Sequence, residues 1–182
     1  MKQYLQYLFQ LILSPRNGWE DIDKATVHPS AIAAHGFYPL ITVAALSVFV
    51  QILFRHHIVF MQLFMKAIIT FVSYFISYFI GTFVLSVSTE SLTTHDDFDE
   101  TRCQTFTLYT LGLLAMISII LNCLPISALA LFFLPLYVAL IQWKGCDYMH
   151  IRPDRQGLFM IFAILGVLIP PYLFYFLFQL IF

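Results

Sequence analysis

The sequence predicts an all-α polytopic membrane protein: a bundle of five transmembrane helices preceded by an amphipathic N-terminal helix, in one membrane-embedded domain over residues 1–182. Three observations carry that expectation. Hydrophobic residues make up 60% of the chain and charged residues 10%, with a mean hydropathy of +0.85; a soluble domain carries about 45–50% apolar and ~25% charged residues. From Arg102 to Lys144 the chain runs 41 residues without a charged side chain, and similar stretches follow Lys24, Lys66 and Arg155. As one helix, 41 residues would reach ~60 Å against a hydrocarbon core of ~30 Å, so the run must fold back on itself. Finally, seven of the nine Lys and Arg residues fall on one side of a five-crossing topology.

The elements follow in order. In Met1 to Leu13, Gln3, Gln6 and Gln10 share a narrow face, while Tyr4, Leu5, Leu8, Leu11 and Ile12 cover the rest. That is the period of an amphipathic helix, too short to span and expected in the headgroup region. Gln6 and Gln10 interrupt its apolar run and Ser14-Pro15-Arg16 is a poor cleavage site, so no cleavable signal is expected. Ser14 and Pro15 read as the N-cap and first position of a second short helix carrying Glu20 and Asp21, with Trp19 and Ile22 turned to membrane or bundle. Residues 1–30 thus form an interfacial cytoplasmic segment, ended by His28-Pro29-Ser30.

The five crossings are expected at about 36–54, 63–87, 104–121, 126–143 and 157–182. Arg55-His56-His57 closes the first, and Asn122-Cys123-Leu124-Pro125 supplies a tight turn between the third and fourth. Glu90 to Arg102 and Lys144 to Gln156 form polar loops. Lys2, Arg16, Lys24, Arg102, Lys144, Arg152 and Arg155 share one side, with Arg55 and Lys66 opposite. The positive-inside rule puts the N-terminus in the cytoplasm of a cell (inner) membrane and the C-terminus outside.

Candidate sites are few. His95, Asp96, Asp97, Asp99 and Glu100 place an imidazole and several carboxylates within six residues, enough to suggest a divalent cation. Asp97 and Glu100 also have capping-box spacing at a helix start, and the segment lacks the glycine and fixed spacing of an EF-hand loop. Capping is the preferred reading. His56 and His57 point about 100° apart on a helix and make a poor ligand pair; His35 is expected at the cytoplasmic interface. Ser73, Ser77 and Gly81 recur at i, i+4, i+8, flanked by Tyr74 and Tyr78. Such small residues permit close helix packing, or alternatively line a polar path. Pro39, Pro135, Pro170 and Pro171 interrupt three crossings, as in transporters with broken helices or as ordinary kinks.

Several classes find no residues to rest on. The expected spans hold no Asp, Glu or Arg, and Lys66 lies near an end where it can snorkel. Ser/His/Asp sets, HExxH, GxSxG and Walker loops are missing, so no enzyme and no cofactor is expected. Cys103, Cys123 and Cys146 form no CxxC pair, and a net charge of −1 offers nucleic acid no basic surface.

The order of parts resembles the Yip domain family (Ypt/Rab-interacting proteins) in its short bacterial form. The likeness rests on Leu11-Ile-Leu-Ser-Pro-Arg-Asn-Gly-Trp-Glu-Asp-Ile22, on Thr105-Phe-Thr-Leu-Tyr109 opening the third crossing, and on Trp143-Lys144-Gly145 after the fourth. The resemblance implies five crossings, a cytoplasmic N-terminus and no catalytic residues; eukaryotic members bind prenylated Rab-type GTPases in vesicle trafficking. The expected function is a non-enzymatic scaffold or organiser at the cytoplasmic leaflet. Expected partners are membrane lipids and a membrane-embedded or cytoplasmic protein, with a homo-oligomer also compatible. The alternative is a small-molecule or lipid transporter using Pro135 and Pro170-Pro171, with a cavity lined by Ser73, Ser77, Tyr74 or Tyr109.

Overall fold

The computed structural model describes residues 1–54, 60–93, 99–124 and 128–181, and the regular elements among them are all helical. Seven helices follow in order. Helix α1 is Lys2–Leu13 and α2 is Pro15–Ala25. The longer ones are α3 (Pro29–Leu53), α4 (Phe60–Leu92), α5 (Glu100–Cys123), α6 (Ala128–Lys144) and α7 (Pro153–Phe178, continuing to Ile181). Helices α3, α4, α5 and α7 are long and apolar enough to cross a membrane. The described part of α6 has 17 residues, a rise of ~25 Å.

Proline shapes two of these helices without breaking them. Pro39 lacks an N–H, and its ring crowds the carbonyl of His35 four residues back. The chain answers with a widened π-type turn over Ala33–Phe37, and α3 continues. Pro170 and Pro171 do the same to Gly166 and Val167, and a second π-type turn occupies Ile164–Leu168. The interruptions expected at these prolines are therefore local unwinding, the usual repair of a strained hydrogen-bond ladder. Pro135 lies inside α6, which also runs on past it.

Sequence period assigns each helix its faces. In α4, Phe64, Ile68, Phe75, Phe79, Phe83 and Val87 are exposed, whereas Leu63, Ala67, Ser73, Tyr74, Ser77, Gly81, Leu85 and Ser88 are buried. The outer stripe is more apolar than the inner one. Water would penalise that arrangement at roughly 25 cal/mol per Å² of exposed apolar surface, and lipid would not. Helix α5 forms the centre: 61% of its most apolar stretch is buried, against 44%, 39% and 39% for α3, α4 and α7. Close approach of α4 to α7 depends on Gly81 and Gly166. A Cβ on Gly166 would stand 2.7 Å from Val84 Cγ1, and one on Gly81 would stand 3.1 Å from the Gly166 carbonyl.

The long helices alternate in direction. The start of α5 and the end of α6 meet α2 at one end, and Arg152, just before α7, donates through Nε to the Leu92 carbonyl at the end of α4 (3.4 Å). The opposite end is tied by side chains: Lys66 Nζ donates to Gln51 Oε1 (3.0 Å), Gln51 Nε2 to Asn122 Oδ1 (2.6 Å), and Asn122 Nδ2 to Ser47 Oγ (2.9 Å).

Candidate functional site

The N-terminal helices are built into the bundle. Tyr4, Leu8 and Leu11 of α1 and Trp19 and Ile22 of α2 belong to the same buried cluster as Phe106, Leu108 and Phe159. The apolar face expected against headgroups is thus packed largely on the chain's own helices, while Phe9 and Leu13 stay exposed. The Tyr4 hydroxyl donates to the Leu108 carbonyl at 2.7 Å. Burial, with Tyr109 nearby, pushes its pKa well above the ordinary tyrosine value, so it stays a donor. Trp19 lies between the rings of Phe106 (centroids 5.0 Å, planes 14° apart) and Tyr148 (5.2 Å, 25°), and its Nε1 donates to the Ile141 carbonyl at 3.0 Å. Gln10 donates to Asp21, closing α1 on α2.

Arg102 ties this arrangement to α5 and to the loop after α6. Its Nη2 pairs with Asp23 Oδ1 at 3.0 Å and its Nε lies 3.9 Å from Asp99 Oδ2. Nη1 donates to the Tyr148 carbonyl at 2.6 Å and lies 3.1 Å from His150 Nε2, with the guanidinium 5.4 Å from the Tyr148 ring centroid. Planarity and several fixed donors suit arginine to such a hub, and lysine could not replace it. Burial raises the Tyr148 hydroxyl to about 12, although Thr105 and Arg102 pull the other way.

Beside the hub lies a cavity of ≈ 270 Å³, with Asp23, His28, Asp99, Thr101, Tyr109 and Tyr148 in its wall. Thr26, also lining it, has φ 44°, and His150 has φ 51°. Left-handed backbone is uncommon outside glycine and strained for a β-branched residue, and such strain gathers at functional sites. The cavity presents carboxylate edges, a histidine and tyrosine rings, with its arginine already engaged. It is equipped to hold hydrogen-bond donors.

Other predicted residues fall elsewhere. His95, Asp96 and Asp97 lie outside the described residues, as do His56 and His57. Asp99 is the N-cap of α5, its carboxylate accepting from Thr101 N at 2.8 Å, and Glu100 is the first helical residue. The capping box expected at Asp97 and Glu100 is therefore corrected to a cap at Asp99, since the helix starts where a carboxylate can reach a free N–H. Among the described residues no three His, Cys, Asp or Glu side chains come together to hold a metal. His35 is exposed, its Nδ1 3.3 Å from the Ala31 carbonyl.

Ser73, Ser77 and Gly81 are buried along the inner face of α4, and Ser77 Oγ donates to the Ser73 carbonyl at 2.6 Å. Tyr74 shares a hydrogen bond with Ser118 (2.7 Å), whereas Tyr78 packs on Phe37. Ser73, Tyr74 and Pro171 come together around a second cavity, at the Lys66 end. Tyr109 lines cavities at the opposite end. The Arg102 hub was missed by sequence reasoning. Its signal was an arginine beside an acidic helix start, which reads as an ordinary loop charge until Tyr148 is brought beside it.

The same packing gives a labelling expectation. Cys146, in the loop after α6, is buried and its thiol raised to about 12, chiefly by burial. At pH 8 its thiolate fraction is then roughly 10⁻⁴. Maleimide should leave Cys146 unmodified in the folded protein and label it only after unfolding, while half-buried Cys123 reacts first; a mass-tag shift with peptide mapping reads both.

No curated protein and no solved structure matches the chain. The family model of the Yip1 domain matches residues 9–178, nearly all of it, and takes in the end of α1, all of α2 and the apolar bundle. This chain belongs to the Yip1 domain family of multi-pass membrane proteins.

Proposed function

We propose that the protein is a non-enzymatic scaffold of the bacterial inner membrane that crosses it five times and holds a protein or lipid partner at the cytoplasmic cleft beside Arg102. The reading counts α6 as the fourth crossing, its 17 residues falling at the short limit of about 17–25 for a span. It puts the N-terminus inside and the C-terminus outside. What supports it best is that cleft and charge coincide. The end carrying the cavity of ≈ 270 Å³ also carries Lys2, Arg16, Lys24, Arg102, Lys144, Arg152 and Arg155, the side the positive-inside rule assigns to the cytoplasm. Family membership adds the expectation of partner binding.

Two measurements test it. Alkaline phosphatase fused after Phe182 is expected to be active outside the membrane; a cytosolic C-terminus would remove the five-crossing topology. A photoreactive residue at Thr101 or Val27, on the cavity wall, is expected to trap one defined species in intact cells, and Asp23→Asn to reduce that adduct severalfold. The same probe at Phe83, on the exposed stripe of α4, should trap lipid alone. Equal adducts from all three positions would dismiss the cleft. Deleting α1 is a poor substitute experiment, because Tyr4, Leu8 and Leu11 are part of the core.

A further inference from the structure

We propose that the cavity beside Arg102 receives the primary ammonium of a phosphatidylethanolamine headgroup, an inference that rests on reading this cleft as a binding site. Its wall holds Asp23 and Asp99 with one arginine between them. Arg102 Nη2 holds Asp23 Oδ1 at 3.0 Å and its Nε lies 3.9 Å from Asp99 Oδ2, while Asp99 Oδ1 caps α5. Two carboxylates against one guanidinium leave the wall one negative charge in surplus. Among the described residues no partner takes Asp23 Oδ2. A carboxylate offers about four lone-pair sites, so Asp23 can accept from a ligand cation without releasing Arg102. The rings of Tyr109 and Tyr148 line the same space, and aromatic rings beside carboxylates suit an ammonium.

An independent observation lies in the same wall. Tyr109 is 3% exposed, and among the described residues its hydroxyl has no hydrogen-bond partner. Buried tyrosine hydroxyls ordinarily find one; Tyr4 beside it does, in the Leu108 carbonyl. The Tyr109 ring is not free to turn and seek one, because Tyr4 packs on it at 5.0 Å and Tyr7 and Trp19 meet it edge-on at 6.2 and 6.4 Å. Nor is its oxygen sealed in the core, as Ser73 Oγ and Thr110 Oγ1 are. Tyr109 lines both the cavity beside Arg102 and a smaller one of ≈ 170 Å³ between α1 and α3, and Val27 and Ile32 are common to the two. A hydroxyl at that join accepts from an ammonium in the first cavity or donates to a phosphodiester behind it. The smaller chamber, with Tyr4, Tyr7 and Ile32 in its wall, gives room to the less polar part of the same molecule. The cleft also begins at Asp99, where the α5 span starts, which is headgroup depth. Both features favour a lipid amine over a lysine side chain or a free amine.

The test uses the full chain in nanodiscs of phosphatidylcholine doped equally with phosphatidylethanolamine and phosphatidylglycerol, with bound lipid counted by native mass spectrometry. One phosphatidylethanolamine per chain should survive purification, enriched at least fivefold over its share of the disc. Phosphatidylcholine should not be enriched, since its ammonium has no N–H to donate. Tyr109→Phe should cut the enrichment at least threefold and leave the thermal midpoint in pure phosphatidylcholine unchanged, because the lost hydroxyl has no partner in the chain. Asp23→Asn, which keeps an oxygen for Arg102 and removes the surplus charge, should cut it at least fivefold, so the idea is tested even where Tyr109→Phe fails to fold. Displacement of the lipid by millimolar free ethanolamine would keep the ammonium site and assign it to a soluble amine. Equal retention of all three lipids, unaltered by either substitution, would overturn the inference. If the photoreactive residue at Thr101 then still traps a protein, the cleft stands as a binding site and only its lipid is lost; if it traps nothing, both readings fall.

Discussion

Trp19→Ala is expected to release the N-terminal helices from the bundle at a cost of about 3–5 kcal/mol, the range for truncating a buried aromatic. Three contributions are lost together. The indole is 2% exposed, it is stacked on both faces by Phe106 and Tyr148, and it donates to the Ile141 carbonyl. The stacked pairs are worth about 0.5–1.5 kcal/mol each beyond the area they bury. The hydrogen bond matters less, because Ile141 O also accepts from Gly145 N at 3.2 Å. Trp19→Phe should therefore cost far less than Trp19→Ala, since it keeps a ring in the slot and orphans no carbonyl.

Local release and global unfolding give different readouts. Arg16 and Lys24 have highly exposed side chains, yet trypsin needs an unfolded segment around its cut. Trp19→Ala should make both bonds cleavable in detergent while the far-ultraviolet helix signal falls only by the share of α1 and α2. Unchanged protection from trypsin would mean that the stacked indole is not what holds these helices down.

What could be read in the sequence was what depends on composition and near neighbours. Long charge-free runs announce membrane helices because lipid imposes length and apolarity on each segment alone. The helix starts were close for the same reason, with α5 beginning at Glu100 instead of about 104 because Asp99 reaches an N–H in its first turn. The family was visible because its marks, Ser14-Pro15 and Thr105 to Tyr109, are contiguous. What could not be read depends on partners far along the chain. Trp19 finds the Ile141 carbonyl 122 positions away and Arg102 finds Tyr148 46 positions away, and no periodicity encodes such pairings. Lys66 illustrates the limit. Its place near a helix end allowed snorkelling, but Gln51 of another element accepts from it, itself bonded to Asn122, at the wall of a cavity. The π-type turns were illegible in a different way: proline signals strain, and whether a helix kinks, breaks or widens is decided by what packs beside it.

Gly112→Ala should undock α1, and Tyr4→Phe should partly repair it. Tyr4 sits between two glycines. A Cβ on Gly112 would stand 2.2 Å from the Tyr4 hydroxyl, and one on Gly36 would stand 2.5 Å from its ring. The hydroxyl cannot swing away freely, because it donates to the Leu108 carbonyl one turn before Gly112. Alanine at 112 gains up to ~1 kcal/mol in helix propensity and incurs an overpacking cost of about 1–3 kcal/mol, so the single substitution should destabilise modestly on balance. Tyr4→Phe alone removes a buried hydrogen bond but orphans no acceptor, because the Leu108 carbonyl keeps its place in the α5 ladder, so it should cost about 0.5–1.5 kcal/mol. In the double variant the atom that collides is gone. The next atom of Tyr4, Cζ, lies 3.1 Å from where the alanine methyl at 112 would sit, tight but open to a few tenths of an ångström of adjustment. The two substitutions should thus couple by about 1 kcal/mol or more, the double variant being less destabilised than the two singles combined, as contacting residues do. Thermal midpoints of the four proteins, with trypsin protection at Arg16, close the cycle. Strict additivity would show that the glycine slot does not seat Tyr4, and would remove the contact that orients α1 on the bundle.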